Sequence, residues 1–429
     1  MTDRKPLSTE SYKGVHDYYP EDWAKVQSAF DTIRGTLRSY GFEEYQASPL
    51  ERAEIYEAKT SEEIVSQQTY TFEDRGGRRV TLRPEMTPTL ARMIAGKRRE
   101  LVFPARWFSI GNRFRYERPQ KGRSREFYQA DVDIVGIKGP MAEGEAVVMA
   151  YEILKAFGAT TKDFRIRIGS RTLMNTAGAV LGLSPDQVTE YLSLVDRKDK
   201  VTPEAFEEAR AAYRRNGTDP LELVEARSDA GVDSVYQELL GLIEAFKERG
   251  MDNVELDPTI ARGFLYYTGL VFEVFDTNPE NPRSLLGGGR YDKLVALFGG
   301  EEIPAVGFAL GIETLMDFLT THNLLPKVLP GADLFVGTPS EDDIARAQKF
   351  ADQMRADGLN VLVHTGGRAL GDQVKEAVRR GIPYFVAIGE EETLYKRAKL
   401  KTLASGKEIE IGTDLIAAHI YKVRFDGDE

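Results

Sequence analysis

A chain of 429 residues, 41% hydrophobic and 29% charged, is long enough for two or three domains with substantial cores and has the composition of a soluble globular protein. Its net charge of −11 excludes a nonspecific cationic coat for nucleic acid, so any RNA contact is confined to local basic patches. The absence of cysteine excludes disulfides, thiol nucleophiles and cysteine-bound metals, and the lack of a signal-type apolar core or a membrane-length apolar run predicts a cytoplasmic protein with no membrane association.

In chain order, Val26, Phe30, Ile33 and Leu37 recur at helical spacing and predict a helix over 23–40 that Gly41 stops. The segment GFEEYQASPLE that follows reads as a short strand ending at Pro49. Strands are expected over 69–73 and 79–83 around the turn residues Asp74, Gly76 and Gly77, and a helix over 87–97 begun at Pro88. From 113 to 136 the sequence RFRYERPQKGRSREFYQADVDIVG reads as strand, loop, strand, so the chain through Val135 is expected to be antiparallel strands with helices attached. Residues 171–250 have helical texture, with Pro or Asp starts and Gly or Asn stops, and are expected to be a helical insertion. Strand character returns over 260–275 and 285–291, followed by a helix over 311–321. After the interruption LLPKVLPGAD, strands and helices alternate, which predicts an α/β unit with a mainly parallel sheet.

The segment 113–136 carries the densest chemistry. Arg113 and Arg115 alternate with Phe114 and Tyr116. Four cations (Arg118, Lys121, Arg123, Arg125) crowd the loop, and Gln129, Asp131 and Asp133 share one strand face. Guanidiniums suit phosphate oxygens and a sheltered carboxylate suits an ammonium or N–H donor. A nucleotide phosphate beside an amine-bearing small molecule satisfies both, although a solvated, salt-bridged hairpin would use the same residues. In LRPEMTPTLAR, Glu85 and Thr87 follow a strand and could receive an ammonium, or Thr87 could cap the next helix. In ARGFLYYTGLVFEVF, Arg262 needs an anionic partner and Tyr266 and Tyr267 could wall a pocket or pack in a core. The glycines of LLGGGRYDKL allow close backbone approach or unusual dihedrals, and those of AVGFALGIETLM could set backbone N–H groups near a nucleotide or pack a strand on a helix. Neither segment has Rossmann or P-loop spacing. His16, His322, His364 and His419 stand too far apart to suggest a metal site.

Taken together, GVHDYYPED, GFEEYQASPLE as motif 1, LRPEMT, RFRYERPQKGRSREFYQ as motif 2, RGFLYYTG, GGGRYDKL, VGFALGIE as motif 3 and the C-terminal GGRALGDQVKEAVRRGIPYFVAIGEEE resemble the histidyl-tRNA synthetases, class II aminoacyl-tRNA synthetases. The resemblance covers nearly the whole chain. It implies an α+β fold: an antiparallel class II catalytic sheet flanked by helices over 1–325, with a helical insertion at about 171–250, and a C-terminal α/β anticodon-binding domain over 333–429. It also implies ATP-dependent ligation of L-histidine to tRNA(His) through a histidyl-adenylate, with Mg2+ on the leaving pyrophosphate, in a homodimer joined through motif 1 elements. Carried over by position, Arg115 and Arg262 would flank the reacting phosphate as the catalytic cations. Glu85, Thr87 and Gln129 would receive the ammonium and orient the carboxylate of histidine, with Met86 and Tyr266 in the same set. Asp133 and Tyr267 would meet the imidazole. Glu117 and Arg123 would bracket adenine and the phosphate tail, and Gln120 would lie near the tRNA acceptor end.

Three positions depart from the family pattern. Asp133 stands where many bacterial members have Glu, Leu265 where the RGxDYY pattern has Asp, and Thr314 where motif 3 ends in an arginine that grips the γ-phosphate. Threonine cannot supply that charge. Another cation serves ATP, or adenylation is weakened, or the chain is a paralogue of the type of the ATP phosphoribosyltransferase regulatory subunit, a histidine sensor on the same scaffold. The anticodon-type domain and the retained Arg115, Arg262 and basic loop favour the ligase.

Overall fold

The computed structural model describes residues 7–57, 68–198, 201–260, 266–326 and 331–426, with side chains through 423. The chain divides into two units, Met1–Lys327 and Val328–Glu429.

In the first unit the strands are β1 (Glu43–Glu44), β2 (Leu50–Arg52), β3 (Tyr70–Glu73), β4 (Arg79–Leu82), β5 (Ala105–Phe114), β6 (Glu126–Val135), β7 (Phe164–Ser170), β8 (Val254–Leu256), β9 (Leu270–Asp276), β10 (Ser284–Arg290) and β11 (Ala305–Gly311). Eight of them form a sheet ordered β1-β5-β6-β11-β10-β9-β7-β8, and β2-β4-β3 form a small second sheet. From β5 to β7 every pairing is antiparallel, with parallel strands only at the two edges. The segment expected as one strand ending at Pro49 is two: β1 joins the large sheet and β2 the small one. Pro49 separates them, since proline lacks the N–H a continued ladder needs.

The period-2 alternation of β5 and β6 decides which face becomes the site. Phe108 pairs with Val132 and Ile110 with Ala130. These side chains are buried in the main core, beside Val26, Phe30, Ile33 and Leu37 of the helix Pro20–Ser39 and the apolar face of the helix Pro140–Ala156. The opposite face carries Gln129, Asp131 and Asp133. Across the next pairing each of these meets a small residue: Gln129 lies opposite Gly311, Asp131 opposite Ala309 and Asp133 opposite Gly307. One strand further, Ala309 faces Gly287 and Gly307 faces Gly289. The middle of this face therefore has almost no side-chain height, which leaves a hollow.

The glycines are required there by clearance. A Cβ on Gly307 would stand 2.1 Å from Asp133 Oδ1, and one on Gly289 would stand 2.6 Å from the Leu270 carbonyl oxygen and 2.9 Å from the Tyr267 ring. Of the two roles the sequence left open for GGGRYDKL, close approach is the one observed, and Gly287, Gly288 and Gly289 have no positive φ. The following Arg290 is structural: its guanidinium donates to Glu143 at 2.8 Å, to Asp292 at 3.0 Å and to the carbonyl of Gly139 at 2.7 Å.

Between β7 and β8 the chain forms the helices Arg171–Val180, Pro185–Val195, Pro203–Arg210, Pro220–Ala226 and Ala230–Glu248, as the helical texture predicts. Their starts are legible: Ser184 with Gln187 and Asp219 with Glu222 form reciprocal capping boxes. Elements additional to the sequence reading include the buried helix Pro140–Ala156, strands β7 and β8, and the short helix Ala53–Glu57.

The second unit has β12 (Leu334–Gly337), β13 (Val361–Val363), β14 (Tyr384–Ala387), β15 (Arg397–Thr402) and β16 (Glu408–Gly412), ordered β13-β12-β14-β15-β16. Only β12 pairs in parallel, with β13 and β14. The β14-β15 and β15-β16 pairings are antiparallel, so the sheet is mixed rather than mainly parallel. The reason lies in the connections. Crossover helices join β12 to β13 and β13 to β14, whereas the short link between β15 and β16 allows only a hairpin.

Candidate active site

A cavity of about 790 Å3 opens over the low face of the large sheet. Gln129 and Asp133 reach it from β6, Glu273 from β9, and Glu85, Thr87, Arg115, Tyr266 and Tyr267 from the surrounding segments.

At one wall, Tyr266 donates its hydroxyl to Glu85 Oε2 at 2.8 Å and also bonds Thr87. Thr87 thus serves the cavity: the cap position of its helix is Met86, and no side chain caps there. Met86 itself does not line the cavity. It is fully buried, with its sulfur 3.6 Å from an Arg83 N–H, so it holds the segment from beneath. Arg115 donates through Nε to the carbonyl oxygen of Pro84 at 2.9 Å, and its guanidinium lies 5.3 Å from the Phe127 ring centre. Burial draws its pKa down while Glu85 and Glu117 oppose the shift. A guanidinium remains charged throughout, so this cation is held inside the cavity with its plane fixed.

Asp133 is 3% exposed and accepts a short hydrogen bond from the Tyr291 hydroxyl. Burial pushes its carboxyl up to about 8, the Tyr291 bond lowers it, and the neighbouring Asp131 raises it. An unfolded aspartate titrates near 4, so between about pH 4 and pH 8 the folded chain holds a proton that the unfolded chain releases. Stability from this group is therefore present at low pH and is lost as pH rises through that window. Asp133→Asn is expected to flatten the fall in melting temperature between pH 5 and pH 8, measured by thermal unfolding. An unchanged slope would remove Asp133 as its cause.

Asp131 and Arg113, which the sequence offered as open chemistry on the strand faces, are spent on each other. Their Oδ2 and NH2 atoms are 2.5 Å apart, with Arg113 wholly buried and Asp131 4% exposed. For this pair the salt-bridged reading of the hairpin is the one observed, and Arg113 is not among the cations open to a ligand.

The loop between β5 and β6 closes at a turn in which Gln120 and Arg123 exchange backbone hydrogen bonds of 3.1 and 2.9 Å, with Gly122 at φ +65°. Arg123 forms an ion pair with Glu117. Both line the cavity, as does Gln120, so Glu117 and Arg123 must separate or pivot to grip a ligand between them. Arg262 and Leu265 lie outside the described residues.

Thr314, in the helix Ile312–Thr321, lines the cavity too. So does Arg283, which the sequence reading passed over. Its only signal was a cation immediately before a glycine-rich strand, a pattern that does not say which face the side chain takes.

Comparison with known proteins matches residues 14–315 to the Histidyl-tRNA synthetase family and residues 333–421 to the Anticodon binding domain family. A histidine--tRNA ligase of Leptospira biflexa is 40% identical over 93% of this chain and 94% of its own length. One of Natronomonas pharaonis is 36% identical over 94% and 95%. The crystal structure of histidyl-tRNA synthetase from Nostoc sp. PCC 7120 superposes with a TM-score of 0.78 at 28% identity, covering 97% of this chain and 99% of that one. With the family match spanning most of the chain over this cavity, the protein belongs to the histidyl-tRNA synthetase family.

Proposed function

We propose that this chain activates L-histidine with ATP and transfers it to tRNA(His). One observation carries the reading: a single cavity is lined by Glu85, Thr87 and Tyr266 at one wall, by the sheltered Asp133 carboxyl bonded to Tyr291, by Tyr267, and by the half-buried guanidinium of Arg115. The histidine ammonium would donate to Glu85 and Thr87, with Gln129 beside it. The imidazole would meet Asp133 and Tyr267. Such polar matching rejects other side chains because they leave buried groups unpaired.

A carboxylate oxygen of histidine then attacks the α-phosphorus of ATP, forming the acyl-phosphate bond as the bond to pyrophosphate breaks. Arg115, already fixed by the Pro84 carbonyl, would offset charge building on the phosphoryl oxygens without reorganising. By resemblance, Arg262 would supply the matching cation. In the second step a terminal ribose hydroxyl of tRNA attacks the histidyl carbonyl and AMP leaves. Gln120, on the turn at the cavity mouth, would lie near that end, and the domain over 333–429 would read the anticodon.

Among the described residues no group of three or more potential ligands could hold a metal ion. Mg2+ would therefore arrive with the nucleotide, neutralising the pyrophosphate. The relatives' ligase names over at least 93% of this chain favour the enzyme over the regulatory paralogue. The family likeness also supports a cytoplasmic homodimer. Sedimentation is expected at twice 48.0 kDa, and a monomer at micromolar concentration would remove that assignment.

Incubation with labelled histidine, ATP and tRNA(His) tests the function. Acid-precipitable charging that depends on ATP is expected, and protein that binds histidine without charging would refute the proposal.

A further inference from the structure

The missing motif 3 charge directs attention to the start of β10. The β9-β10 pairing shifts register between Ser284 and Leu286, leaving Leu285 as an extra residue. Bulges of this kind redirect neighbouring side chains. Thr314 bonds this irregularity: its hydroxyl lies 3.3 Å from the Leu285 carbonyl oxygen and 3.0 Å from that of Gly311. Ser284 donates its hydroxyl to the Leu286 carbonyl at 2.7 Å.

Arg283, one residue before the strand, lines the cavity and donates through NH1 to the Gly122 carbonyl oxygen at 3.3 Å. It is a neighbour of Thr314 in space. A Cβ placed on Gly122 would stand 3.4 Å from Arg283 Cδ and 3.5 Å from Thr314 Cγ2. Among the described residues Arg283 forms no ion pair, whereas Arg123, next to Gly122 on the loop between β5 and β6, is paired with Glu117. Burial, and after it Arg123, depress the Arg283 pKa, while Glu117 and Glu313 oppose the shift. A guanidinium in a cavity with no carboxylate bound to it is poised for an anionic ligand.

We infer that Arg283 grips the distal phosphates of the nucleoside triphosphate, and that Thr314 pins the bulge that aims it. The charge has moved from the helix to the neighbouring strand entrance, and the threonine hydroxyl anchors the bulge beside it.

This inference rests on the ligase reading for the identity of the ligand, and binding measurements separate the two. Calorimetric titration with ATP and with AMP is expected to show Arg283→Ala weakening ATP at least 10-fold while AMP stays within 2-fold. Arg283→Gln, which preserves most of the volume, should do the same if the alanine variant folds poorly. In pyrophosphate exchange the KM for ATP should rise at least 10-fold with the KM for histidine within 2-fold. Thr314→Arg alone should bring no gain, and added to Arg283→Ala it should recover part of the ATP affinity. ATP affinity within 2-fold of wild type in both Arg283 variants, or equal losses for ATP and AMP, would overturn the inference. A wild type that binds ATP through Arg283 but shows no histidine-dependent exchange would instead defeat the ligase reading and leave the phosphate site standing.

Discussion

Arg115→Ala is expected to lower the turnover of histidine-dependent pyrophosphate exchange by about 10²–10³-fold, the scale found when one preorganised donor to a developing charge is removed. The geometry behind this figure is specific. Arg115 leaves the end of β5, donates to the Pro84 carbonyl oxygen at 2.9 Å and packs against Phe127, so its position is fixed before substrate arrives. Arg115→Lys keeps a charge but loses the planar fork, and should recover little of the activity. Both variants should retain the wild-type melting temperature within a few degrees, because Arg115 forms no ion pair among the described residues and makes one hydrogen bond to backbone. A loss of less than about 5-fold in turnover would mean that the cation is not at the reacting phosphate.

Arg113→Met is expected to cost about 3–5 kcal/mol of stability, since it strands the Asp131 carboxylate in the interior. Arg113 is fully buried, Asp131 nearly so, and their 2.5 Å contact is backed by an N–H from Arg113 to the Asn112 carbonyl oxygen at 2.9 Å. Replacing both, as Arg113→Met with Asp131→Leu, should recover much of the loss, because a matched apolar pair avoids the uncompensated charge. The single change should also reach the site. Arg113 lowers the Asp133 pKa and Asp131 raises it, so removing the cation alone pushes Asp133 further up and weakens it as an acceptor at neutral pH. Denaturant unfolding measures the first effect and the pH profile of histidine affinity the second. A double variant less stable than Arg113→Met would contradict the account of the pair.

Much of this architecture was legible in the sequence because local signals and tertiary demands agree. The helix Pro20–Ser39 shows its apolar stripe, and the insertion helices carry their caps. The alternation of Gln129, Asp131 and Asp133 placed them on one face, and that face is the cavity side. What alternation cannot state is which of two equally polar neighbours is consumed by a partner. Asp131 and Asp133 look alike in sequence, yet one lies beside Arg113 and the other beside Tyr291. The helix Pro140–Ala156 escaped notice because it is apolar almost all round, so no amphipathic period marks it. Arg283 escaped because its direction is set by a bulge and by a threonine in a distant segment, and neither is a local property. Antiparallel pairing in the second unit was missed for a related reason. Strand order and direction follow from how the chain returns, and the polar β15 and β16 looked the same either way.

The most direct test of the central claim, that this cavity activates histidine, is pyrophosphate exchange with purified protein, ATP and labelled pyrophosphate, run with and without histidine and with other amino acids in its place. Exchange that requires histidine and collapses in Arg115→Ala is the predicted result. Histidine binding without any histidine-dependent exchange would contradict it and mark the protein as a sensor on a synthetase scaffold.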